Sequence, residues 1–464
     1  MQSKKFTIGS LVVLMVMGTF ISSCSKSGSG PTKTTPPVDT TKTYHDPAQY
    51  GTPYSGVPAT KDIVMYEVNL ETFTPVGFAG VDAYLDSIKS LGTNVIWLMP
   101  TYPVGVLKAI GSPYAVKDYE GVNASFGSLA DMRKLVADAH NKGMAVIMDW
   151  VADHTAWDNS WISNKTWYKQ DGSGNIISPP GFNDVAALNY NNTDMRTAMI
   201  RAMKYWIFTA NVDGYRCDDA DGVPSDFWAQ ALDTLSNIKT HKLIYLAEGA
   251  LTAEITAGFQ LSYGFDYYTQ LSKTFKGTAA PSAVFTSNDL TEVLPIPGLK
   301  LRFSTNHDDA STDGSTIFVY KSKQGAEAAF SIAATMGGVP MIYSSQEVAY
   351  PNPINFFTDV AVDYTANPDV RAAYKQIIAF RTAHAAVKTG SIVKEYSDAS
   401  SIAFEKTSGT DDIIVMANTT GTAATINLPA TWQNTTWTNA VNNGTVALTT
   451  TYTIPAYGYL LLHK

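Results

Sequence analysis

One repeated theme limits what this chain can become. From residue 61 onward, a short apolar run is followed by a loop, an amphipathic segment, a glycine and then the next apolar run. Residues 63–68, 94–99 and 144–148 read as the first three strands. The run at 94–99 is almost continuously apolar, as a strand covered on both faces must be. Residues 81–91 have helical spacing and stop at Gly92, which suits a helix end. Ser128-Leu129-Ala130-Asp131 has the form of a capping box, with Asp in the fourth place. It opens a helix with Leu129, Met132, Leu135, Val136 and Ala139 on one face and Gly143 at its end. The theme returns with helix 194–210 before strand 214–217, and with helix 225–238 before strand 243–247. It returns last with helix 324–336, Gly337 and Gly338 before strand 339–343. Residues 302–305 are the candidate seventh strand, and residues 263–267 the best piece for a sixth. Strands linked through helices run parallel, since a parallel pair needs a long crossover. Period alone does not separate an open doubly wound sheet from a closed barrel. Polar residues cluster behind the third, fourth, fifth and seventh strands, and a barrel brings such ends to one mouth. The closed form is therefore expected.

Two segments break the theme. Residues 154–190 are long, irregular and aromatic, with Trp157, Trp161, Trp167 and Tyr168. A loop of that length is usually functional; its rings either line outer ligand sites or pack the insertion. From residue 389 to 464 the pattern becomes short alternating runs with Thr, Asn and Gly turns, which predicts a small all-β domain. The barrel is then expected over 61–388, with the insertion as a subdomain.

The chain has 464 residues, 45 % of them hydrophobic and 16 % charged, so it can bury a large core. A net charge of −8 lacks the basic footprint of a nucleic-acid binder. At the start, Lys4 and Lys5 precede an apolar run at residues 6–20, too short for a spanning helix and flanked like an export signal. Ile21-Ser22-Ser23-Cys24 resembles a bacterial lipobox. Residues 1–23 are therefore expected to be a signal peptide, with Cys24 acylated and residues 24–60 a flexible tether. Lipid anchoring to a bacterial membrane, at the periplasmic or outer face of the outer membrane, is the expected location. The only other cysteine is Cys217, which leaves no internal disulfide; it reads as a small buried apolar residue.

The stretch Asp213-Gly214-Tyr215-Arg216-Cys217-Asp218-Asp219 ends the fourth strand. The two-residue period puts Arg216 and Asp218 on one side. A charged pair there needs a partner or a task. A structural ion pair is the plainer reading for this stretch alone, and the other strand ends shift the balance. Asp149 and His154 follow the third strand, Glu248 the fifth, and His307 and Asp308 the seventh. Sugar-bond cleavage needs such a set: one carboxylate attacks the anomeric carbon while another protonates the leaving oxygen and then activates water.

Taken in order, these pieces resemble the α-amylase family, glycoside hydrolase family 13. They are Asp149-Trp150-Val151-Ala152-Asp153-His154, Gly214-Tyr215-Arg216-Cys217-Asp218, Glu248, and Asn306-His307-Asp308. Ile96-Trp97-Leu98-Met99-Pro100, Ser112-Pro113-Tyr114 with Asp118-Tyr119, and Pro340-Met341-Ile342-Tyr343 extend the likeness over roughly residues 64–347. The resemblance implies a (β/α)8 TIM barrel, a domain inserted after strand 3 and a C-terminal β-sandwich. It implies a retaining hydrolase of α-1,4-glucosidic linkages in starch, glycogen or maltooligosaccharides, with an α-glucan transglycosylase or a non-catalytic glycan-binding lipoprotein as alternatives. By the same likeness Asp218 is the nucleophile, Glu248 the general acid/base, and Asp308 a stabiliser of the oxocarbenium-like state. His154 and His307 would bind the sugar, Tyr114 stack on it, Arg216 orient Asp218 and lower its pKa, and Asp149 support Arg216. Asp219 and Asp309 would play no catalytic part. Many members hold a structural calcium. At its usual donor positions this chain has Asp153, Ala187 and Gly222, of which Asp153 alone offers a hard side-chain oxygen. No cofactor is expected to be required, and a monomer is expected.

Overall fold

A strand that is apolar on both faces needs cover on both, and the barrel supplies it. The computed structural model describes residues 45–464. Eight strands close a parallel barrel: β1 (Met65–Val68), β2 (Val95–Leu98), β3 (Ala145–Val151), β4 (Gly214–Asp218), β5 (Ile244–Ala247), β6 (Leu261–Tyr263), β7 (Leu299–Arg302) and β8 (Val339–Tyr343). Each pairs with its neighbour in sequence. The ring closes where Met65 of β1 meets Met341 of β8. Met65, Val95, Trp97, Ala145, Ile147, Ile244, Leu246, Leu261, Leu301 and Met341 form one buried cluster. The alternate residues Tyr66, Val68, Ile96, Leu98, Val146 and Met148 pack in the larger cluster with the helices.

The helices begin and end for local reasons. Helices α1 (Phe78–Ser90), α2 (Leu129–Asn141), α3 (Thr193–Ala210) and α4 (Ser225–Ser236) follow the expected spacing. At α2 the capping box is formed: Ser128 Oγ accepts from the Asp131 amide at 3.3 Å, and Asp131 Oδ2 accepts from the Ser128 amide at 2.8 Å. Such a cap contributes about 1 kcal/mol. After α1, Gly92 takes φ 93°, and a Cβ there would lie 2.7 Å from Ile378 Cγ2.

Two strands sit elsewhere than expected. The sixth is residues 261–263, because Tyr267 belongs to the helix Phe265–Phe275. The seventh starts three residues early, pairing Leu299 with Leu261 and Leu301 with Tyr263. Its two charges are buried with partners inside the protein: Lys300 Nζ donates to the Tyr263 carbonyl at 2.8 Å, and Arg302 pairs with Glu292.

The insertion is anchored by a short antiparallel pair, His154–Ala156 against Val185–Ala187, with His154 opposite Ala187. Most of its rings pack. Trp161 lies 4.8 Å from Tyr119 and 5.2 Å from Trp167, ring to ring, and Tyr168 is buried with its hydroxyl on Thr155. Trp157 is only half-buried, with Lys108 Nζ 3.4 Å above it. The C-terminal region forms a six-stranded antiparallel sheet, with Ser391–Ser397 at one edge and Gly444–Leu448 at the other, and a two-stranded one, Ala424–Asn427 with Thr451–Ile454. Trp432, Trp437, Met416, Leu462, Ile426 and Ile454 pack as their shared core.

The expected signal segment, Cys24 and the first part of the tether lie outside the described residues. The described part of the tether is packed, not free. The Tyr50 amide donates to the Phe208 carbonyl at 2.7 Å, and Tyr54 stacks on His140 at 4.4 Å. Among the described residues no helix is long and apolar enough to cross a membrane.

Candidate active site

The site is built around one guanidinium. Arg216 lies in the buried part of β4, is wholly inaccessible, and sits among the rings of Trp97, Tyr114 and Tyr263 at 5.0–5.7 Å. Its Nη1 donates to Asp149 Oδ1 at 2.8 Å and to Asp218 Oδ1 at 2.6 Å. Its Nη2 stands 2.7 Å from Glu248 Oε1, close enough for an ion pair but off hydrogen-bond alignment. Burying a charge this deeply costs several kcal/mol unless partners compensate; here three carboxylates do. Because one rigid fork touches both Asp218 and Glu248, their carboxyl groups face one small space. Glu248 Oε2 also accepts from the Asp219 amide at 2.9 Å, and Asp219 takes a left-handed φ of 36°. Asp219 thus serves the site through its main chain.

Below this lies a second layer. Asp149 Oδ2 accepts from Trp97 Nε1 at 3.1 Å and from the Tyr114 hydroxyl at 3.3 Å. That hydroxyl is 2.7 Å from His307 Nε2, and His307 Nδ1 is 2.6 Å from Glu67 Oε1. The Tyr114 and His307 rings lie 5.6 Å apart, inclined by 18°. Asp308 stands beside them with a half-exposed side chain, 3.5 Å from His307 Nε2. On the insertion side, His154 Nδ1 meets Asp153 Oδ2 at 2.8 Å, and its Nε2 donates to the Tyr114 carbonyl at 3.1 Å.

The structure therefore gathers Asp149, Arg216, Asp218, Glu248, Tyr114, His307, Asp308 and His154 at the strand ends, and adds detail the sequence did not carry. Both nitrogens of His154 and of His307 are held by protein atoms. Tyr114 packs against His307 and hydrogen-bonds through its hydroxyl. Glu67, Trp97 and Tyr263 belong to the same network, the last receiving Arg216 Nε at 3.3 Å. Glu67 had a signal: it is a carboxylate inside the apolar first strand, where an unpaired charge would be very costly.

Burial governs the protonation. It pushes Asp218 up to about 6, against the pull of Arg216 and with the push of Asp149 and Asp153. Arg216 does lower that pKa, as expected, but burial outweighs it. Burial likewise pushes Glu248 up to about 7, opposed by Arg216 and reinforced by Asp218. Burial works against a charged His307, yet Asp308 and Glu67 raise the ring to about 9. For His154 burial again opposes charge, and Asp153 overrides it, raising the ring to about 9. Asp309, buried beside Asp308 and Asp313, is raised to about 8, so it is protonated at neutral pH. Cys217 is buried and its thiol is pushed well up, as suits an inert apolar residue.

The residues present do not fit the family's calcium set. Asp153 has committed Oδ2 to His154, and its buried Oδ1 has no hydrogen-bond partner. Ala187 offers no side-chain oxygen. Among the described residues no group of three or more His, Cys, Asp or Glu side chains converges to hold an ion.

A closed parallel barrel with an arginine clamped by carboxylates at its strand ends defines a class of α/β-barrel proteins. Comparison with known proteins narrows the class. The family model for the α-amylase catalytic domain matches residues 75–175, the part holding Tyr114, Asp149, Asp153 and His154. The α-amylase MalA of Haloarcula japonica is 24 % identical over 402 residues, covering 82 % of this chain and 58 % of that protein. α-Amylase 2 of Dictyoglomus thermophilum is 24 % identical over 403 residues, covering 80 % and 69 %. The chain thus spans little more than half the length of the first of these. The crystal structure of a maltogenic α-amylase, AmyB of Thermotoga neapolitana, superposes with a TM-score of 0.79 at 26 % identity, over 87 % of this chain and 99 % of that one. The chain is thus similar to the α-amylase family, over residues 75–175 by the family model and along most of its length by these relatives.

Proposed function

We propose that this protein hydrolyses α-1,4-glucosidic bonds of starch, glycogen or maltooligosaccharides, with retention, through a covalent glycosyl-enzyme. The observation that carries the reading is the shared fork: Arg216 holds both Asp218 and Glu248, so both can flank one anomeric centre. Asp218, the carboxylate with the lower pKa, attacks the anomeric carbon. Glu248, raised to about 7, delivers its proton to the leaving oxygen. Once the leaving sugar departs, the Glu248 carboxylate takes a proton from water, and that water displaces Asp218. One carboxyl group ionised and its neighbour protonated are what such a sequence of steps needs. Arg216 keeps Asp218 oriented for attack, and Asp308, half-exposed beside His307, is placed to meet ring hydroxyls as positive charge develops. The same reading has the chain exported and held to a membrane through Cys24, on the strength of its first residues alone.

The test is release of reducing ends from soluble starch and from maltooligosaccharides by the wild type and by Asp218→Asn. Activity that survives the substitution would remove the mechanism. Longer products would instead indicate transfer, and binding without turnover a capture protein.

A further inference from the structure

Glu67 is a group that the proposed reaction does not use. It is fully buried on β1, its Oε1 lies 2.6 Å from His307 Nδ1, and its Oε2 has no hydrogen-bond partner. An ionised carboxylate can only accept, so with Glu67 charged Nδ1 of His307 carries a hydrogen. The state of the other ring nitrogen then decides which way the next bonds point. If Nε2 also carries a hydrogen, it donates to the Tyr114 hydroxyl, which must give its own proton to Asp149 Oδ2. If Nε2 is bare, it takes the Tyr114 proton, and Asp149 Oδ2 keeps Trp97 Nε1 alone. Asp149 is the carboxylate beneath Arg216, which in turn holds Asp218 and Glu248.

We propose that Glu67 is a positioning residue whose negative charge keeps His307 doubly protonated, and so directs the Tyr114–Asp149 hydrogen bonds that seat Arg216 under the two reacting carboxylates. The logic is that of a histidine oriented and charge-stabilised by a third group. The inference rests on the hydrolytic reading for its kinetic consequence, though not for the state of the ring. The charged and titratable groups facing His307 are Glu67 from β1, Asp308 from its own helix, Asp149 from β3, Tyr114 from the loop after β2, and Arg216 from β4. Arg216 opposes the ring's charge; the carboxylates favour it, and Glu67 is the one in direct contact with Nδ1. Burial raises the pKa of Glu67, and the charge and hydrogen bond of His307 work against that rise.

The experiment uses Glu67→Gln in the full chain, which keeps the shape and an acceptor for Nδ1 but removes the charge. Nitrogen-15 NMR of the ring follows His307, identified by the signal lost in His307→Gln, while kcat and KM on maltooligosaccharides are followed over pH. In the wild type the ring should stay doubly protonated through about pH 8; in the variant it should titrate near its ordinary value of about 6.5. At pH 7.5 the variant should lose about 10- to 100-fold in kcat with little change in KM, the usual size of an orienting partner's effect. The variant-to-wild-type ratio should fall about tenfold or more between about pH 5.5 and 8, as the ring loses its proton. Glu67→Asp, which retains the charge, should show a ratio independent of pH. A wild-type ring that titrates at its ordinary value overturns the proposal, as does a Glu67→Gln deficit that is the same at every pH. If the variant does not fold, the wild-type titration decides alone. A wild type that hydrolyses nothing while its His307 stays charged would count against the hydrolytic reading and leave the ring assignment standing.

Discussion

Arg216 and Arg381 are both buried to within 1 % of full inaccessibility, and they are compensated in opposite ways. Arg216 faces three carboxylates, and its pKa is held well above the ordinary value. Arg381, between the barrel and the C-terminal sheets, donates only to backbone carbonyls: Ala334 at 3.3 Å, Lys61 at 3.2 Å and Gly338 at 2.8 Å. Burial lowers its pKa to about 10. Lys406 nearby follows the same rule, giving its hydrogens to the Met336 and Val387 carbonyls at 3.0 and 2.8 Å. Neutral acceptors hold Arg381 and Lys406, one carboxylate holds the buried Arg302, and three carboxylates converge on Arg216 at the strand ends. Exposure does not separate Arg216 from Arg381; the number of carboxylates around it does.

Substitutions at the two centres should break the contrast. Asp218→Asn should cost at least about 10⁴-fold in kcat while the melting temperature stays close to wild type, read from reducing-sugar release and thermal denaturation. Glu248→Gln should cost about 10²–10⁴-fold, less for substrates with a good leaving group, which need no proton. Arg216→Met leaves three carboxylates around a lost cation; it should abolish activity and destabilise by about 3–5 kcal/mol. Arg381→Met should destabilise by a similar amount, about 3 kcal/mol, because buried carbonyls lose their donors, yet leave kcat per folded molecule unchanged. Denaturant titration alongside kcat separates the two arginines.

The pH dependences differ in sign as well as place. The proposed mechanism requires Asp218 ionised and Glu248 protonated. The rate should therefore rise with pH through about 6 and fall through about 7, giving a narrow bell in kcat/KM. The smallest effect concerns Lys406, whose folded pKa is lowered to about 7. Between that value and the ordinary lysine value of about 10.4, the unfolded chain binds more protons than the folded one, so this residue makes stability rise with pH across that window. Lys406→Met should flatten that slope in denaturation midpoints measured from pH 7 to 10.

Strands such as β2 and β8 were legible in the sequence because burial on both faces leaves an unbroken apolar run. β6 was not, because it is three residues long, includes Ser262 and is followed almost at once by the helix Phe265–Phe275. β7 was misplaced because Lys300 and Arg302 read as a strand boundary, while the fold buries both. At the site, Arg216, Asp218, Glu248 and His307 could be named from where they follow strands. The engagement of both His307 nitrogens, and Glu67 behind it, could not: the contact spans 240 residues and depends on the barrel closing β1 against β8. The packing of Trp161 and Trp167 was likewise undecided, since an aromatic run has the same composition whether it packs inward or lines a surface.

The central claim is that Asp218 and Glu248, seated on one guanidinium, exchange a glycosidic bond through the enzyme itself. Proton NMR of the first sugar released from a maltooligosaccharide, recorded before mutarotation, tests it most directly. The α-anomer should appear first and then equilibrate; first appearance of the β-anomer would mean a single inversion with no glycosyl-enzyme, and would contradict the account.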